Sequence, residues 1–231
     1  MLHSPQAQIQ MLASVTNVEE ALMALDAGVD VIDLKNPATG ALGALSYGVI
    51  EEVVKLVNGR VTLSATIGDL PMEPTLLLSS TKAMFDTGVD IVKVGFFGSD
   101  FHQECLNALS KLSQQGSKLI AVMLVDEPLD MQLLEPFAEA GFYGVMLDTA
   151  RKNGDHLLTH ISLQKIMDFV QKARSLGLQT GLAGSLQTAH ISDLSKTRPS
   201  YLGFRGALCE ASQRTSRLVP EKMRAIKSLL N

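Results

Sequence analysis

Eight short apolar runs rich in β-branched residues, each followed by a longer amphipathic segment, constrain this chain more than any other feature. They are MLASV (11–15), VDVIDLK (29–35), VTLSATIG (61–68), DIVKVGFF (90–97), LIAVMLV (119–125), YGVMLDT (143–149), QTGLAGSL (179–186) and YLGFRG (201–206). Such alternation marks repeated βα units around a parallel sheet, and eight strands are the number that closes one into a barrel. The predicted fold is therefore α/β, a single (β/α)8 TIM barrel in which residues 1–231 form one catalytic domain. No linker interrupts the pattern.

The intervening segments read as outer helices. NVEEALMALDAG and SLQKIMDFVQKARSLG open on an N-cap candidate, Asn17 or Ser162, carry apolar residues at helical spacing, and stop at Gly28 or Gly177. The phrases AGVDVIDLK and TGVDIVKVG, with AGFYGVMLD as a looser copy, repeat a glycine helix stop followed by a strand. With 46% hydrophobic residues, 5% aromatic and no Trp, the core must be built from aliphatic side chains, as parallel barrels are. The ten methionines serve as core filler. Two Pro/Gly-rich excursions, NPATGALGALS and GDLPMEP, follow the second and third runs, at the end of the barrel where active sites are built.

Polar residues inside the apolar runs carry the chemistry. Side chains alternate along a strand, so Asp33 and Lys35 share a face with Val31, while Ile32 and Leu34 face the helices. Asp33 and Lys35 form either a structural pair at the rim or part of a catalytic mouth. Lys93 interrupts the apolar run IVKVG, where desolvation lowers an amine's pKa towards a usable nucleophile or base. Asp148 sits at the tip of the sixth run, followed by Arg151 and Lys152, whose bland alternative is a solvated basic turn. Gly184 and Ser185 after the seventh run, and Arg205 and Gly206 after the eighth, lie where barrels hold phosphate. Asp126 and Glu127 either join the site or begin a polar loop. His156 and His160 are four residues apart but lack the glutamate and third ligand of a zinc motif, so no metal is expected.

The set DLK, VKVG and LDTARK, in this order and with GLAGSL and GFRGALC, resembles the (5-formylfuran-3-yl)methyl phosphate synthase family, also called 4-(hydroxymethyl)-2-furancarboxaldehyde-phosphate synthase, of methanofuran biosynthesis. The similarity runs over nearly the whole chain. It implies a lyase that joins and cyclises two molecules of glyceraldehyde 3-phosphate into a phosphorylated furan aldehyde, with loss of phosphate and water. By the same resemblance Lys35 is the Schiff-base lysine and Lys93 the proton-transferring one. Asp33, Asp148 and Lys152 assist. Cofactor and metal are expected to be none, since an iminium supplies the electron sink.

Two other classes stay open: a class I aldolase or sugar-phosphate isomerase on the same barrel, and a non-catalytic sensor of phosphorylated metabolites. A net charge of −4 without long runs of one sign excludes a general nucleic-acid footprint. Cys105 and Cys209 have no CxxC spacing and read as core thiols of a reducing compartment. Without a leader-like N-terminus or a membrane-length apolar run, the expected location is cytoplasmic. The expected partner is a phosphorylated triose, and a homo-oligomer is compatible with the sequence.

Overall fold

The computed structural model describes residues 8–98, 102–151 and 154–230. Eight parallel strands, β1 (Gln10–Val15), β2 (Val31–Leu34), β3 (Thr62–Thr66), β4 (Ile91–Gly95), β5 (Lys118–Leu124), β6 (Gly144–Asp148), β7 (Gln179–Leu182) and β8 (Tyr201–Phe204), pair in sequence order, and β8 pairs back onto β1. Around this closed TIM barrel lie α1 (Val18–Asp26), α2 (Tyr47–Val57), α3 (Pro74–Asp86), α4 (His102–Ser113), α5 (Leu134–Glu139), the single turn α6 (Leu157–His160), α7 (Leu163–Ser175), α8 (Ile191–Lys196) and α9 (Pro220–Leu230). Among the described residues no helix is long and apolar enough to cross a membrane.

Alternation along the strands separates two cores. Val31, Ile91, Ile120, Val122, Met146 and Tyr201 pack inside the barrel, while Ile32, Leu34, Val92 and Val94 face the helices. Several strands end before the apolar runs do. Ile67, Phe96 and Leu186 lie beyond the strand ends but stay buried, because the roots of the βα loops pack on the same core. Hydropathy therefore overstates strand length at the C-terminal ends.

The repeated GVD phrase has a packing reason. Gly28 and Gly88 turn the chain at φ 74° and 95°, and Val29 and Val89 are buried. Asp30 and Asp90 then accept the backbone N–H of Met11 and Leu63 on the preceding strand, at 2.7 and 2.8 Å. The motif thus turns, anchors and registers each new strand. Gly181 does another task, since a Cβ there would come within 2.2 Å of the Tyr201 ring, which fills the barrel interior.

Candidate active site

Two Lys–Asp pairs occupy the C-terminal half of the barrel. The lower one joins β2 to β4: Lys93 Nζ lies 2.6 Å from Asp33 Oδ1, and both residues are almost wholly buried. Ser14, Asp33 and Ser64 stand side by side in the register of β1, β2 and β3. Ser64 Oγ donates to Asp33 Oδ1 at 2.7 Å and Ser14 Oγ to Oδ2 at 3.0 Å. Burial pushes the Lys93 pKa down; attraction to Asp33 opposes this, and the charge of Lys35 pushes the same way as burial. Tyr201, also buried, has its phenol pKa raised by burial and by Asp33, and its hydroxyl meets no hydrogen-bond partner among the described residues.

The upper pair lies at the mouth. Lys35 is the first residue beyond β2, its N–H still bonded to Val15 O at 3.1 Å, and its Nζ lies 3.3 Å from Asp148 Oδ2. Thr149 N donates to Asp148 Oδ1 at 2.7 Å. Of the two readings the sequence left open for Asp33 and Lys35, a mutual pair or part of a catalytic mouth, the structure does not show the mutual pair. Residues two apart on a strand are separated by roughly 6–7 Å along it. Asp33 therefore meets Lys93 in the interior, while Lys35 reaches across to Asp148.

A cavity of about 450 Å³ opens above Lys35 and Asp148 and is lined further by Ser185, Gly206, His156 and Arg214. Its volume is typical of small-molecule sites. A more open depression of about 550 Å³ lies beside it, sharing Pro37, Arg205 and Thr215. That depression contains Glu19 and Glu20 but neither paired lysine, whereas Lys35 and Asp148 line the smaller cavity.

The anion candidates separate. Gly184 (φ 103°) and Ser185 (φ 51°) turn the chain out of β7; a Cβ on Gly184 would approach Thr149 Cγ2 at 2.9 Å. A serine held in the left-handed region costs roughly 1–3 kcal/mol and is characteristic of ligand clamps. Gly206 begins the short turn Gly206–Leu208 at the cavity wall.

Arg205 departs from its expected phosphate role. Its Nε donates to Arg214 O, Nη1 to Ser14 O and Glu20 Oε2, and Nη2 to Glu20 Oε1 and Ser216 O. All five N–H donors are consumed internally, so Arg205 ties the β8 exit to β1 and leaves no donor for a ligand.

Arg151 is exposed and does not line the cavity, and its N–H bonds Asp126 Oδ2 at 2.7 Å. Lys152 lies outside the described residues. Asp126 is a loop organiser. Burial opposes its charge, but the N–H groups of Arg151 and Ala150 outweigh this and hold its carboxyl below the usual range. Glu127 is exposed, away from the paired lysines. His156 stacks on His190 with centroids 4.2 Å apart, whereas His160 faces Asp155 at 3.6 Å. The two histidines thus have different neighbours. Cys105 and Cys209 are buried free thiols.

Comparison with known proteins identifies the lineage of this site. A model of the 4-HFC-P synthase family matches residues 11–227. The chain belongs to that family. The (5-formylfuran-3-yl)methyl phosphate synthase of Methanothermobacter thermautotrophicus is 32% identical over 96% of this chain and 98% of its own length. That of Archaeoglobus fulgidus is 34% identical over 89% and 92%. Among solved structures, phosphoribosyl anthranilate isomerase from Thermus thermophilus superposes with TM-score 0.68 at 15% identity, covering 96% of this chain and all of its own. The 3-hexulose-6-phosphate synthase of Salmonella typhimurium does so with TM-score 0.65 at 15% identity, covering 96% and 100%. These two share the barrel.

In this 4-HFC-P synthase family member, sequence reasoning passed over several residues that shape the site. Ser14 and Ser64 were visible as polar interruptions in MLASV and VTLSATIG. Asp69, in GDLPMEP, accepts the N–H of Ala41 and Leu42, both at 2.7 Å, and so fixes the loop that follows Lys35. Glu20 and Arg214 gave no local signal, since their partners are distant in the chain.

Proposed function

We propose that this protein condenses and cyclises two molecules of glyceraldehyde 3-phosphate to 4-(hydroxymethyl)-2-furancarboxaldehyde phosphate, releasing one phosphate and two waters, through a Schiff base on Lys35. Its place is methanofuran biosynthesis, as the family resemblance implies, and the furan phosphate in the names of its relatives supports this. The observation that carries the reading is the stacking of two Lys–Asp pairs beneath one cavity.

Condensation of a triose carbonyl with the Lys35 amine expels water and leaves an iminium that acidifies the adjacent C–H. Asp148, 3.3 Å from Nζ, is placed to take the proton the amine sheds and to return one as the carbinolamine dehydrates. The resulting enamine attacks the aldehyde carbon of the second triose. Elimination of one phosphate and two waters then closes the furan, and hydrolysis of the imine frees Lys35, taking back the water expelled when it formed. Lys93 supplies and withdraws protons from below, because its burial favours the neutral amine while Asp33 stabilises the protonated one. Asp33 is held for this by Ser14 and Ser64. Gly184, Ser185 and Gly206 would receive one phosphate, and Arg151 or Lys152, which follow β6 in the sequence, would serve the other.

The test is incubation with glyceraldehyde 3-phosphate, reading furan aldehyde absorbance, and in parallel borohydride trapping with peptide mapping. Furan product and label on Lys35 are expected. Label without a furan would assign an ordinary class I aldolase, and binding without either would assign a sensor.

A further inference from the structure

Three cationic side chains among the described residues line the cavity, namely Lys35, Arg205 and Arg214. Lys35 is paired with Asp148 and Arg205 with Glu20. Arg214, half-buried in the loop between β8 and α9, forms no ion pair among the described residues, although Asp148 and Asp69 are near enough to attract it; its Nη2 donates to the carbonyls of Pro37 and Gly40. Its Nε and Nη1 make no hydrogen bond there. We propose that Arg214 is a binding residue for a phosphate monoester, presenting these free donors to the cavity that holds Lys35. The inference rests on a phosphorylated substrate, as read above.

A guanidinium partly withdrawn from water is costly; Asp148 and Asp69 attract it from a distance but neither bonds it, and an incoming dianion supplies both closer charge and acceptors. The loop that presents it is preformed. Val219 N bonds Leu208 O at 2.8 Å, and Cys209 bridges to Leu218. Arg205 holds the carbonyl of Arg214 itself at 2.8 Å. Ala211 and Ser212 are both left-handed, at φ 48° and 56°, a conformation that non-glycine residues keep only where surroundings over-determine it. Arg205 thus acts behind the arginine that faces the ligand. The Nη2 bonds also tie Arg214 to the loop that begins at Lys35, so a phosphate held there is placed relative to the amine.

Glycerol 3-phosphate, which has no carbonyl and forms no imine, isolates the binding step. Titration calorimetry on the full chain should show Arg214→Met binding it roughly 10- to 100-fold more weakly than wild type, the usual worth of charge-assisted hydrogen bonds. Wild-type affinity should rise with pH through about 6, where the phosphate takes its second charge. Arg214→Met should flatten that rise, and Arg214→Lys, which keeps the charge but loses the fork, should preserve it at intermediate affinity. Circular dichroism checks folding, and the lysine variant carries the comparison if the methionine variant does not fold. Unchanged affinity overturns the proposal. So does weaker binding with the pH rise intact, which would make Arg214 a loop staple only, and so does a wild type that does not bind. Arg214-dependent binding without furan formation would refute the proposed reaction and leave this inference standing. Furan formation with an unaffected variant would do the reverse.

Discussion

Asp33→Asn tests the buried pair most directly, because it removes one charge and leaves the geometry almost unchanged. At 2.6 Å the attraction between Lys93 and Asp33 is about 6 kcal/mol with an effective dielectric near 20. Without it, a buried ammonium forfeits that energy or sheds its proton. A solvated lysine titrates near 10.5, so deprotonation at pH 7 spans about 3.5 pH units and costs about 5 kcal/mol. Deprotonation is the cheaper route, and the variant should fold with a neutral amine. Burial already lowers Lys93 in the wild type, so the measured loss falls at or below that ceiling, about 3–5 kcal/mol.

The sign of the pH dependence follows. In the variant the folded state binds fewer protons at Lys93 than the unfolded state, so stability rises with pH between the lowered folded pKa and the unfolded one. The deficit against wild type should shrink by up to about 1.4 kcal/mol per pH unit from pH 7 to 9. Urea unfolding followed by circular dichroism at pH 7, 8 and 9 measures it. Asp33→Asn with Lys93→Met should be more stable than Asp33→Asn alone, since no amine is left to deprotonate. A deficit independent of pH, together with no recovery in the double variant, would refute the reasoning.

Lys93→Met alone should slow turnover by roughly 10²- to 10⁴-fold while borohydride label still reaches Lys35, as expected of a proton shuttle, and label on Lys93 in the wild type would reverse the two roles. Arg205→Ala should cost about 3–5 kcal/mol in stability by orphaning buried Glu20, and should weaken phosphorylated and unphosphorylated ligands alike; a loss confined to phosphorylated ligands, read by calorimetry, would restore Arg205 as a phosphate contact. Asp69→Ala frees the amides of Ala41 and Leu42, so limited proteolysis should cut faster within residues 36–43 and kcat/KM should fall, at a stability cost of about 1–3 kcal/mol.

The family's chemistry is distributed between local and distant sequence. Lys93 and Asp148 were legible because a charge in an apolar strand has few places to go, and strand alternation assigned Asp33 and Val31 to the interior. Glu20, 185 residues from Arg205, carried no such mark. Its glutamate looks like an ordinary acidic residue in the first turn of α1, where such residues usually face solvent.

What the sequence determined by itself was the architecture and the inward faces of its strands. Periodicity of two against 3.6, glycine stops and aliphatic composition are local properties, and only one closed arrangement buries eight such runs. Which charge meets which was decided by tertiary structure. Barrel closure and strand tilt set the heights at which side chains from different strands meet, and this paired Asp33 with Lys93 and Lys35 with Asp148. It also consumed every donor of Arg205 on Glu20 and backbone carbonyls, and left Arg214 facing the cavity. A guanidinium's availability depends on the acceptors around it, and those acceptors are brought together only when the last strand closes on the first.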